Sequence, residues 1–132
     1  MKTNLILLSL FSALFLISSC EEEKSNMPYI QQMKDTIFAN YPTVAGVTID
    51  VQESTMLEVV LKDASLYNKT DADRQKVATN VGMMALRIFG KDNKLEKGEL
   101  LISKDMPSGE IIPEDAKKTS INIDSLKKAT TN

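Results

Sequence analysis

Few residues of this chain can do chemistry. Its 132 residues include one cysteine, Cys20, and neither histidine nor tryptophan. Without histidine, the side chain that titrates nearest neutral pH and serves most often as a transition-metal ligand is missing. A lone thiol can close no internal disulfide and build no zinc–thiolate cluster. That leaves carboxylates. Asp50 and Glu58 occupy polar positions in two neighbouring alternating segments. One allowed hairpin register sets them opposite each other, and two close carboxylates raise one pKa, as acid–base catalysis requires. The alternation alone accounts for both as a solvated sheet face, and that is the expectation. Asp71-Ala72-Asp73 would suit calcium, yet charges at a helix start explain them fully. The loop Gly90–Glu99 holds Asp92, Glu96 and Glu99, but an EF-hand counted from Asp92 puts Lys97 where that loop needs glycine. No phosphate-cradling glycine motif and no G-x-S-x-G is present. The expectation is no catalytic residue, no metal site, no cofactor and no enzymatic activity.

The position of Cys20 gives it another use. The chain opens Met1-Lys2-Thr3-Asn4, then runs apolar from Leu5 to Ile17, broken only by Ser9 and Ser12. Ser18, Ser19 and Cys20 follow, and then Glu21-Glu22-Glu23. A short basic start, an apolar core of roughly 7–15 residues and a small-residue cut site describe a secretory signal. A membrane span needs about 20 apolar residues, more than this run supplies. Ile17-Ser18-Ser19-Cys20 resembles the lipobox of bacterial lipoprotein precursors. The resemblance implies cleavage between Ser19 and Cys20 and lipidation of Cys20. Two or three acyl chains would then hold the protein firmly to a membrane, where one chain gives only marginal binding. Acidic residues after the lipidated cysteine also resemble a signal for outer-surface display in some Gram-negative groups. The implied address is the bacterial cell envelope, on the outer membrane, facing the periplasm or the surface.

Four regions follow: a signal peptide over 1–19, a lipidated cysteine with an acidic tether over 20–27, a small domain over 28–104 and an irregular C-terminal extension over 105–132. A net charge of −2 gives no support for nucleic-acid binding. The expected contacts are the membrane, through lipid on Cys20, and an envelope protein partner.

The domain must build its own apolar core. Met27, Ile30, Met33, Ile37, Phe38 and Tyr41 mark one stripe of a helix from about Pro28 to Asn40, capped by Asn26. Val47, Ile49 and Val51 alternate with polar residues in a strand over Gly46–Gln52, as do Leu57, Val59 and Leu61 over Met56–Lys62. Glu53-Ser54-Thr55 joins them as a hairpin, its odd length keeping both apolar sets on one side. A second helix runs from Asp71 to Phe89, with Thr70 as cap, Gly90 as stop and Gly82 small enough for close packing. Met83 and Leu86 lie off its apolar stripe, where a partner, a loop or the tail would cover them. Leu100-Leu101-Ile102 reads as a third strand. Thr119–Asp124 alternates weakly, Asp124–Ala129 fits a helical turn, and the last three residues are expected to be mobile.

The order α-β-β-α-β predicts an α+β fold, a two-layer sandwich with two helices on one face of a small, mainly antiparallel sheet. Over residues 28–104 this order resembles the BON domain, an envelope module linked to phospholipid binding, although Glu53-Ser54-Thr55 and Asp63-Ala64-Ser65 stand where BON glycines are usual. The resemblance implies phospholipid binding as an alternative role, with no residue assigned to it. A hydrolase using Asp50 and Glu58 is the remaining alternative.

Overall fold

Alternation with a period of two builds the centre of the molecule. The computed structural model describes residues 20–90, 92–105 and 114–131, with side chains from Asn26 onward. Strand β1 is Gly46–Gln52 and β2 is Met56–Lys62, antiparallel, with Gln52 opposite Met56 and Gly46 opposite Lys62. Val47, Ile49, Leu57, Val59 and Leu61 all face one side, as an odd-numbered turn requires. The turn has no glycine and meets its geometry by strain. Glu53 and Ser54 both take positive φ, at 51° and 62°, and Thr55 N–H closes the turn on the Gln52 carbonyl at 3.1 Å.

Four helices and four strands share the described chain. Helix α1 is Cys20–Asn40, α2 is Ala64–Tyr67, α3 is Asp71–Phe89 and α4 is Ile123–Thr131. Strand β3 is Lys97–Ser103 and β4 is Lys117–Ile121. The strand order is β1-β2-β3-β4. Strands β2 and β3 run parallel because α2 and α3 carry the chain back between them, whereas β3 and β4 are antiparallel. The sheet is therefore mixed but mainly antiparallel, and the fold is α+β in the order α-β-β-α-β with further elements added.

Helices α1 and α3 pack together over the apolar face, and α4 joins α3. The core between the layers includes Met33 and Ile37 of α1, Val77, Ala78, Val81 and Ala85 of α3, and Leu100 and Ile102 of β3. Gly90 ends α3 at φ 82°, a conformation that favours glycine, and its N–H reaches the Leu86 carbonyl. Leu86 packs against the core and Met83 is half-buried.

Several expectations are corrected. Residues 20–27 are helical and continue into α1, so Asn26 is not a cap and Pro28 lies inside the helix. Glu and Lys favour helix, and the helix runs on through Pro28 although that residue has no N–H to give and its ring crowds the carbonyl four residues earlier. Met27 and Phe38 leave the buried stripe and are exposed. The segment expected to be irregular supplies β4 and α4. Ile121 and Ile123 bury it, and the Thr130 and Thr131 hydroxyls donate to carbonyls of Leu126 and Lys127 within α4. Val60, placed by its alternation on the polar face, is 3% exposed opposite Leu101 at 6%. The sheet face away from the helices thus has its own small apolar centre.

Candidate functional site

The carboxylates singled out from the sequence meet on that second face. Register sets Asp50 opposite Glu58, Glu58 opposite Glu99 and Glu99 opposite Ser120. Three acids therefore stand side by side across β1, β2 and β3, at the strand spacing of about 4.8 Å. The next row is Thr48, Val60, Leu101 and Lys118. Lys118 reaches diagonally back, its Nζ lying 2.8 Å from Glu99 Oε2.

This row acts on Glu58. Partial burial raises its pKa above the ordinary 4.5, the Asp50 and Glu99 charges push it further the same way, and Lys118 opposes them. The carboxyl so held binds a proton more readily than an isolated glutamate. Sequence reasoning identified Asp50 and Glu58 and missed Glu99, which lies in a part of β3 outside the Leu100–Ile102 core.

Asp71 and Asp73 do not join this row. Asp73 accepts the Thr70 hydroxyl at 2.9 Å, and its N–H donates back to Thr70 Oγ1 at 3.2 Å. The Thr70 and Lys76 hydrogen bonds lower the Asp73 pKa. Asp71 pairs with Arg74, a buried residue the sequence reading did not single out. Arg74 also donates to the carbonyls of Tyr67 and Lys69. Beside it, the ammonium groups of Lys104 and Lys117 lie 4.7 and 4.3 Å from the centre of the Tyr67 ring, and Lys117 donates to the Tyr67 carbonyl at 3.0 Å. Arg74 of α3 and Lys117 of β4 thus meet at the Tyr67 carbonyl, at the end of α2.

At the opposite end of the sheet a groove of about 260 Å³ lies between the β1–β2 turn, α1 and the segment after α3. Val51 and Leu95 line it, and Tyr29 and Phe89 form a tilted ring pair at 5.7 Å. The Asn93 side chain is occupied locally, accepting from Leu95 N–H and donating to the Gly90 carbonyl. Among the described residues, no three His, Cys, Asp or Glu side chains converge to hold a metal, and no helix is long and apolar enough to cross a membrane. Ser19 lies outside the described residues, and Cys20 is placed as the first residue of α1.

No protein-family model, curated protein or solved structure matches this chain.

Proposed function

We propose that this chain is a bacterial envelope lipoprotein, cleaved before Cys20, lipidated on that thiol and carrying a binding or assembly domain rather than an enzyme. The observation behind the reading is the sequence Ile17-Ser18-Ser19-Cys20 directly after the apolar run Leu5–Ile17. The domain offers a partner the sheet face with Asp50, Glu58 and Glu99, a surface suited to a cationic protein. The address is the outer membrane, on its periplasmic or outer side. Intact-mass analysis of the membrane-extracted protein is the test. A mature chain beginning at Cys20 with a diacylglycerol and acyl adduct supports the reading, and globomycin should block its processing. An unmodified thiol removes the reading. Pull-down from membranes, comparing native protein with Cys20→Ala, then tests for a partner.

A second reading is favoured by the Asp50–Glu58 pairing and the raised Glu58 pKa: hydrolysis by paired carboxylates. Hydrolytic turnover abolished by Glu58→Gln and by Asp50→Asn would favour it over a binding module. Turnover unchanged in both variants removes it.

A further inference from the structure

Strand β1 stands at one edge of the sheet and β4 at the other. Hydrogen bonds at both ends of β2 fix which backbone groups of β1 point outward. Lys97 N–H donates to the Thr55 carbonyl, and Asp63 N–H donates to the Ser103 carbonyl at 2.9 Å. Alternate residues bond across a parallel pair, so the odd-numbered residues of β2 face β3. The even-numbered ones, Met56, Glu58, Val60 and Lys62, then exchange bonds with Gln52, Asp50, Thr48 and Gly46 of β1. The N–H and C=O groups of Val47, Ile49 and Val51 are left directed off the sheet, and no described residue pairs with them. The two edges are guarded differently. Strand β4 is five residues long and opens with Lys117-Lys118. Short length and lysine both discourage pairing at an edge. Strand β1 has seven residues, of which Asp50 alone is charged, and it holds neither proline nor lysine.

We propose that the outer edge of β1 pairs antiparallel with β1 of a second copy of this chain, about a two-fold axis at Ile49, joining two sheets edge to edge. Charge and length set the register. With Ile49 opposite Ile49, all seven residues of β1 have a partner and Val47 meets Val51. Asp50 then meets Thr48 of the second copy, whose hydroxyl can donate to the carboxylate. A shift of two residues one way sets the two Asp50 carboxylates opposite each other, where like charges repel. The same shift the other way sets Val51 and Gln52 against residues that precede the strand. The occupant is a second copy because β1 is complementary to itself: apolar residues meet apolar ones, and its one charge meets a neutral donor. This inference stands on the sheet and needs no lipid on Cys20.

Thr48 and Asp50 are exposed, so cysteines there leave the core intact. Between the copies they form a non-hydrogen-bonded pair with Cα atoms about 4.5 Å apart, within reach of a disulfide. Thr48 to Thr48 and Asp50 to Asp50 are diagonal, at about 7–8 Å, and beyond that reach. The test uses the full chain in membranes of the cells that make it. One copy carries Thr48→Cys and a differently tagged copy carries Asp50→Cys, and the chain with Cys20 alone sets the background. On oxidation the mixed pair should give about fivefold more disulfide dimer than either variant by itself. In a second arm, Thr48→Asp faces Asp50 with a like charge and should lower the dimer fraction of detergent-extracted protein in sedimentation, whereas Thr48→Lys should raise it. A mixed pair that cross-links no better than the single variants overturns the proposal, as do charge variants that shift the dimer in the same direction. Cross-linking to a different protein in place of the second copy also overturns it and gives the edge to a foreign strand. None of these outcomes depends on whether Cys20 is lipidated.

Discussion

Gly82 of α3 lies against Leu126 of α4 so closely that a Cβ there would come within 2.6 Å of Leu126 Cδ1 and 2.7 Å of Ile121 Cγ2. The absence of a side chain lets the C-terminal helix and the edge strand dock on α3. Alanine would improve helix propensity by about 1 kcal/mol but overpack the joint by about 1–3 kcal/mol. Gly82→Ala should therefore lower stability in chemical denaturation. Adding Leu126→Ala should cost less than the two single losses summed, because it relieves one of the two contacts. A Gly82→Ala protein more stable than the native one would show that the joint is loose.

Glu58 should impose a pH dependence on stability. Its folded pKa is raised above 4.5, so the folded state binds protons more readily than the unfolded chain. Stability contributed by this group is present in acid and is lost as pH rises through the window just above 4.5. Glu58→Gln should remove that slope and leave the protein more stable at neutral pH. Denaturation series from pH 4 to 8 would check it. An unchanged slope would show that the acidic row does not act on Glu58.

Thr70 and Asp73 should be linked with the opposite sign. Asp73 is held below its ordinary value of 3.8 by Thr70 and Lys76, so its contribution is present at neutral pH and lost as pH falls through the folded value. Thr70→Ala removes the cap of α3 and should cost about 1 kcal/mol. The Asp73 pKa, followed by NMR, should rise in the same variant. A pKa that stays put would assign the lowering to Lys76.

Asp63 caps α2 from a buried position, accepting Leu66 N–H at 2.9 Å and the Thr43 hydroxyl at 2.6 Å. Asp63→Ala strands both donors and should cost about 2–3 kcal/mol. Asp63→Asn keeps an acceptor and should cost less. Equal losses in thermal unfolding would mean that the acceptor is not what matters.

Glu53 takes a left-handed conformation that favours glycine or asparagine. Glu53→Asn should stabilise the hairpin by up to about 1 kcal/mol, read from the denaturation midpoint. A destabilised variant would mean that Glu53 makes a contact worth more than its strain.

Strong periodicity made much of the fold legible. The bounds of β1, β2 and α3 follow from the sequence because each repeats apolar residues on its core face: Val47 and Ile49, then Leu57, Val59 and Leu61, then Val77 to Ala85, whereas the burial of Val60 on the other face of β2 does not. Strand β4 was faint because Ile121 is its one fully buried residue. The start of α1 was hidden because Pro28 resembles a helix entry, a signal that says nothing of the residues before it. At the candidate site, Asp50 and Glu58 were visible through alternation within one hairpin. Glu99 was not, because its pairing with Glu58 joins strands separated by all of α2 and α3.

Local chemistry written along the chain therefore determined where β1, β2 and α3 form, which residues of each face the core, and the lipobox-like run ending at Cys20. Tertiary structure alone decided which strands become neighbours, and with them the row of Asp50, Glu58 and Glu99. It also decided which apolar residues of α1 remain outside the core. The division follows from range. Periodicity is set by the backbone of each segment, whereas a cross-strand pair or an exposed Phe38 depends on how distant segments share one limited apolar interior.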